Sequence, residues 1–248
     1  MSMKSKVFAA AATLTLVGGV GAAGMTSASA ATPSCGGGCI EIFNHDFGTH
    51  AHPNFVLDTL RQGEKVGQPQ ILFRVANSDP AEDYTVSFQG LVSDFFAAGL
   101  VSAALELHYG GGIFPTQPAG NGRPDDAAFE VQYSPFGVDS GLCMGVAATA
   151  TAGEGVTLQP CGVSSKTVWV VDSQDTVRHG YVPLINGSDT NFSQPFVLTY
   201  PSSAYPTDKP RPELYVSNLT GFQGANGFPT GTINSNQLFG ADFGVLAP

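Results

Sequence analysis

FEVQYSPFGVDSGLCMGV, residues 129–146, decides how the rest of this chain is read. Phe129, Val131 and Tyr133 recur at the two-residue period of a half-buried strand, Ser134 to Gly141 is dense in turn-forming residues, and a second apolar run begins at Leu142. The pattern is strand, polar turn, strand. Two further stretches stack on it: IEIFNHDFGTHAHPNFVL at 40–57, with Ile40 and Ile42 in alternation, and YVPLINGSDTNFSQPFVL at 181–198. The first and third even share Phe-Val-Leu, at 55–57 and 196–198.

Working outward, each hairpin is followed by another apolar segment, at Gln70–Val75, Val156–Leu158 and Glu213–Val216, and then by an aromatic-bearing strand around Tyr84, Trp169 and Phe239. Units of this size cannot bury their own apolar faces, so the three must share one core. That predicts an all-β, threefold, single-domain architecture in which Trp169 belongs to the shared centre. Composition agrees: 31 glycines, 17 prolines and only 12% charged residues suit short strands joined by turns, and 42% hydrophobic content excludes a wholly disordered chain.

The spacing breaks once. Phe55 and Leu142 are 87 positions apart, whereas Leu142 and Phe196 are 54 apart, which places an insertion of mixed or irregular structure after the first copy. The copies are read at about 38–87, 128–179 and 180–248, with the insertion at about 88–127. Within it, Ser93 to Gly99 reads as a short helix with Ser93 as N-cap and Gly99 as terminator, Leu100 to Leu107 as strand or helix, and Gly110 to Asp126 as a mobile surface loop whose removal leaves the core intact.

Residues 1–30 carry Lys4 and Lys6, an apolar stretch from Val7 to Met25 and a closing Ala28-Ser29-Ala30, the pattern of a cleaved secretory signal peptide. Glycines 18, 19, 21 and 24 interrupt that stretch, against a transmembrane reading. Export implies a secreted, extracellular protein. Its formal charge of -10 becomes more negative once both lysines leave, so nucleic acid is excluded as a partner for want of positive surface, and no membrane partner is expected. In an oxidising compartment the four cysteines pair as disulfides. Cys143 with Cys161 is the preferred bridge, worth about 3 kcal/mol of unfolded-chain entropy. Cys35 and Cys39 then close around three glycines, and the spacings do not suit a four-cysteine zinc site.

The second copy, in Gly141-Leu142-Cys143-Met144-Gly145-Val146, Gly155-Val156-Thr157-Leu158-Gln159-Pro160-Cys161 and Val168-Trp169, resembles a repeat of the ricin B-type (QxW) β-trefoil lectins. The third copy supplies a matching ending in Asn236-Gln237-Leu238-Phe239, and the leader resembles actinobacterial ones. The resemblance implies a β-trefoil, a Cys143–Cys161 bridge and sugar binding, in which an acid accepts hydrogen bonds from vicinal hydroxyls while an aromatic ring covers the apolar sugar face. Copy two departs from it, with Gly145 in the acid's place and Gln159 in the aromatic's. Copy one keeps Asp58, with Phe73 as a platform, and copy three has Thr199 at the acid's place but offers Tyr215, Asn236 and Gln237. Asp58 also reads as a surface aspartate that caps a turn, and Tyr215 as a half-buried tyrosine anchoring its hydroxyl.

Other chemistry finds less support. Gly137-Val138-Asp139-Ser140-Gly141 superficially resembles the nucleophile loop of trypsin-like proteases, but it falls where the repeat already demands a turn, so no catalytic residue is expected and the chain is read as no enzyme. His45, Asp46, His50 and His52 read as a solvated loop rather than a metal site, and no cofactor is implied. Sequons begin at Asn186, Asn191 and Asn218, which would mark surface positions, although a bacterial source predicts no glycans. The expectation is a monomeric, non-catalytic protein that binds a carbohydrate or polysaccharide. The alternative is a trefoil that has lost sugar recognition and binds a secreted protein, such as a hydrolase, as an inhibitor.

Overall fold

The computed structural model describes residues 39–49, 52–60, 65–74, 84–110, 125–171, 180–201, 203, 205–208, 210–221 and 232–243. The expected signal peptide, Cys35, His50 and the 111–124 portion of the insertion lie outside the described residues.

Four principal strands come from each copy. The first supplies β1 (Ile40–Asn44), β4 (Phe55–Thr59), β5 (Gln70–Arg74) and β6 (Tyr84–Leu91), with a short ladder of β2 (Gly48–Thr49) and β3 (His52–Pro53) between β1 and β4. The second supplies β7 (Ala127–Tyr133), β8 (Leu142–Val146), β9 (Val156–Pro160) and β10 (Trp169–Val171). The third supplies β11 (Leu184–Asn186), β12 (Phe196–Thr199), β13 (Tyr215–Asn218) and β14 (Phe239–Phe243).

First and fourth strands close a six-stranded antiparallel ring. β1 pairs β14, β10 pairs both β11 and β7, and β7 pairs β6. Single bridges complete the circuit, Val182 to Phe239 and Cys39 to Thr85. Second and third strands form three hairpins, β4–β5, β8–β9 and β12–β13. These are linked edge to edge in a triangle by Pro69–Thr157, Ile71–Glu213 and Gly155–Tyr215. A closed barrel of six strands capped by a hairpin triplet, with one third of each contributed by every copy, is a β-trefoil. Closure leaves the barrel without free edges.

The threefold relation is visible in register. Tyr84 faces Tyr133, Trp169 faces Asn186 and Phe239 faces Asn44 across the three inter-copy seams. Tyr84, Trp169 and Phe239 are all buried in one cluster with Leu57, Leu72, Met144, Leu158, Leu198 and Val216, the pairs that face each other within the hairpins. The Trp169 indole is fully buried and its Nε1 donates to the Met144 carbonyl at 2.9 Å, so its one polar atom is satisfied inside the core.

Cys143 and Cys161 are bridged, with Cα atoms 5.0 Å apart, tying the start of β8 to the end of β9. Cys39 is disulfide-bonded.

Between β6 and residue 110 the insertion forms two short helices. α1 (Val92–Ala97) begins one residue before the expected cap: Asp94, not Ser93, secures its start, its Oδ2 accepting from the Leu91 amide at 2.8 Å, while Gly99 ends it at a φ of 75°. The apolar run from Leu100 that reads as strand or helix forms α2 (Ala103–Tyr109), capped by Ser102, whose hydroxyl accepts from the Leu105 amide. Phe95, Leu105 and Tyr109 are fully buried in a second cluster with Val168, Val170, Ile185 and Val197, so the helices cover one outer side of the barrel. Among the described residues no helix is long and apolar enough to cross a membrane.

Candidate functional site

The three hairpins present equivalent outer faces, and their chemistry can be compared position by position. Side chains alternate along a strand, so with Leu57 and Leu72 in the core, Val56, Asp58, Ile71 and Phe73 share the opposite face of β4–β5. Asp58 pairs with Ile71 and Phe73 with Val56, which makes Asp58 and Phe73 diagonal neighbours. The same register assigns Gly145 and Gln159 to those positions in copy two, and Thr199 and Ser217 in copy three, with Tyr215 directly opposite Thr199.

Copy two is sterically closed. A Cβ added at Gly145 would stand 2.7 Å from the Lys166 carbonyl oxygen and 2.9 Å from Thr167 Cγ2, so no acidic side chain fits there without moving backbone. Gln159 turns its amide back on Thr157 Oγ1 at 2.8 Å. Beneath, Glu130 is buried, its carboxylate accepting from the Thr167 hydroxyl and from the Gly162 amide at 3.0 Å, which braces the loop after Cys161.

Copy three satisfies its own polar groups. Thr199 Oγ1 and Ser217 Oγ lie 2.8 Å apart, and Gln237 Nε2 donates to Ser217 Oγ at 2.8 Å and to the Asn218 carbonyl at 2.9 Å. Gln237 Oε1 accepts from the Thr220 amide and hydroxyl at 2.8 and 2.7 Å. Gln237 is therefore buried and fully engaged in holding the turn before β14. Asn236 donates from Nδ2 to the Tyr200 carbonyl at 2.8 Å and accepts at its own carbonyl from the Tyr200 amide, a reciprocal staple. Tyr215 is half-buried, with its backbone in the bridge to Gly155.

Copy one retains both an acid and an aromatic on its outer face. Asp58 is not the surface, turn-capping aspartate that the sequence also allowed: it lies within β4, is only 2% exposed, and its Oδ1 accepts from the Thr59 amide. Phe73 is half-buried, and the guanidinium of Arg211 stacks over its ring at 4.0 Å from the centroid. Arg211 belongs to the connection between β12 and β13, residues 200–214, which is longer than its counterparts at 60–69 and 147–155. That difference in length is the sequence signal that could have drawn attention to this loop.

Two buried asparagines also escaped the sequence reading. Asn44 and Asn186 occupy equivalent ends of β1 and β11; each side-chain oxygen accepts from the amide two residues on, and each Nδ2 donates to the turn preceding a fourth strand, at Leu238 and Lys166 respectively. Asn186 is fully buried, so its sequon does not mark a surface. Ser140 donates its hydroxyl to the Tyr133 carbonyl and accepts from the Leu142 amide, closing its turn. Among the described residues no three His, Cys, Asp or Glu side chains converge on a metal-sized space.

No protein-family model matches this chain, and neither does any curated protein. Among solved structures the chain is similar to ThreeFoil, a designed threefold-symmetric protein, at 10% identity, covering 82% of this chain and 97% of that one with a TM-score of 0.46. It is also similar to a mosquitocidal holotoxin at 11% identity, covering 82% of this chain and 17% of that one with a TM-score of 0.45.

Proposed function

We propose that this β-trefoil is a secreted, non-catalytic carbohydrate-binding protein, recognising sugar through the outer hairpin face of its first copy. The observation that carries the reading is the contrast among equivalent positions: Phe73 presents an aromatic ring where copy two has Gln159 and copy three has Ser217. The Phe73 ring already accepts a flat cation on its face. A pyranose exchanging with the Arg211 guanidinium gains the same ring through its apolar C–H face, and the displaced guanidinium then donates to sugar hydroxyls. Asp58 is buried and accepts from the Thr59 amide rather than meeting solvent.

A glycan array tests this. Binding by the wild-type protein and its loss in Phe73→Ala, with an unchanged thermal unfolding midpoint, supports the reading; an array on which the wild-type protein binds nothing overturns it.

A second reading, recognition of a secreted protein, is favoured by one specific feature. In the turn from Ser134 to Gly141, Phe136 adopts a φ of 54°, rare for a residue with a Cβ, and is 46% exposed beside Val138 at 66%. The Ser134 hydroxyl bonds to Asp139 Oδ1 at 3.2 Å and to Thr85 Oγ1 at 2.7 Å, bracing the turn that displays these two side chains. Inhibition of an extracellular protease such as subtilisin, lost in Phe136→Ser, would favour this reading over the first.

A further inference from the structure

The β12–β13 connection carries a second group of side chains whose arrangement the copy-one face does not explain. Residues 205–208, Tyr-Pro-Thr-Asp, form a tight turn closed from both ends: the Tyr205 amide donates to Asp208 Oδ2 at 2.9 Å, and the Asp208 amide donates to the Tyr205 carbonyl at 2.9 Å. Pro206 fixes its own φ and is buried, which anchors the turn against the protein. The Tyr205 ring meets Phe47 and Phe55 nearly edge-on, with centroids 5.5 and 5.2 Å away at 80° and 84°. Phe47 is itself braced against Tyr200 at 4.8 Å.

These contacts grip the ring without covering it. Tyr205 remains 49% exposed, and Thr207 and Asp208 are exposed beside it. The turn therefore holds an open aromatic surface, a hydroxyl and a carboxylate within four residues, in a geometry fixed before any ligand arrives. Burial raises the ionisation of Tyr200 well above the ordinary tyrosine range, and the charges of Asp208 and then Tyr205 add to it.

We propose that the Tyr205–Asp208 turn is a pyranose-binding subsite, with the Tyr205 ring stacked on the apolar sugar face and the Asp208 carboxylate accepting from hydroxyls at its rim. This rests on the carbohydrate reading above and extends it to a position that the hairpin comparison does not reach. The chemistry favours a sugar over an organic cation, which draws affinity from several aromatic faces enclosing it; here Phe55 is buried and Phe47 is half-buried against Tyr200, so the neighbouring rings do not open a cage around the Tyr205 face. A rigid aromatic flanked by a donor and an acceptor matches a ring that is apolar on one face and hydroxylated at its edge, and pre-organisation lowers the ordering cost of binding. Because Arg211 lies on the same connection and covers Phe73, one loop serves both subsites.

Isothermal titration of the full chain with the pyranose oligosaccharide bound most strongly on the array, alongside choline chloride, separates the outcomes. The proposal expects Tyr205→Ala to weaken glycan binding about tenfold, the loss of one stacked ring in free-energy terms. Tyr205→Trp should retain it and Asp208→Asn should weaken it several-fold. Phe73→Ala tests the copy-one face separately. Tyr205→Ala and Asp208→Asn binding as tightly as wild type, while Phe73→Ala binds nothing, would overturn this subsite and leave the copy-one reading standing. Binding of choline that Tyr205→Ala abolishes, without any glycan binding, would overturn the ligand class.

Discussion

The guanidinium carbon of Arg211 lies 4.0 Å from the centre of the Phe73 ring, joining the β12–β13 connection of copy three to the outer hairpin face of copy one. The contact ties the candidate sugar face to a loop that neither other copy matches in length. It also sets the competition a ligand meets, because a sugar reaching the ring must take the place of the cation.

Removing that cation should therefore change access to the ring. Arg211→Ala is expected to cost at most about 1 kcal/mol of stability, the usual worth of a partly exposed cation–π contact. The same variant should raise glycan affinity where the guanidinium only obstructs, and lower it where the displaced side chain goes on to donate to sugar hydroxyls. The proposed exchange requires the second outcome, and parallel titrations of wild type and variant read it directly.

Trp169 closes the barrel at the seam between copies two and three, fully buried and paired to Asn186. Trp169→Ala should destabilise the domain by about 3–5 kcal/mol, combining lost transfer energy with the cavity left behind. Urea unfolding followed by far-ultraviolet circular dichroism measures it. A loss below about 1 kcal/mol, far short of the usual cost of truncating a buried tryptophan, would show that the centre collapses around the gap.

The Cys143–Cys161 bridge spans 18 positions and holds the loop whose Gly162 amide binds the buried Glu130 carboxylate. Replacing both cysteines by alanine should cost about 3 kcal/mol if the loop-closure account applies. Chemical denaturation of the double variant and of the wild type in the absence of reductant provides the comparison.

Stability should fall as pH rises through the range where Asp189 ionises. Burial lifts its carboxyl from 3.8 to about 6, against the opposing hydrogen bonds from the Asn191, Thr190 and Phe196 amides, and its Oδ2 has no partner among the described residues. The folded state thus holds a proton that the unfolded chain releases at lower pH. Its contribution is fully present below the unfolded value and is lost on the way to and through about 6. The difference is on the order of 3 kcal/mol between the two extremes. Melting midpoints measured from pH 4 to pH 7.5 should decline for wild type and show a shallower slope for Asp189→Asn.

The strands are legible in the sequence because each hairpin alternates apolar and polar residues and is bounded by turn formers, and because an aromatic stands at corresponding points of the copies, at Tyr84, Trp169 and Phe239. Composition and alternation do not reveal direction of burial for polar groups. Asp58 and Gln237 look the same on paper whether they meet a ligand or the protein's own amides; only their burial and hydrogen bonds show that both turn to the protein. The run after Leu100 is ambiguous for another reason: a short apolar stretch buried on one side carries no period that separates helix from strand, and Ser102 as a cap is what tips it. Arg211 and the Tyr205 turn depend on contacts between copies, which no local pattern encodes.

Backbone amide chemical shifts followed during titration with an array-positive glycan test the central claim most directly. Sugar binding at the copy-one face predicts shifts concentrated in β4, β5 and residues 205–211, with β8 and β9 silent. Shifts confined to β8 and β9, or none anywhere at saturating glycan, would contradict it.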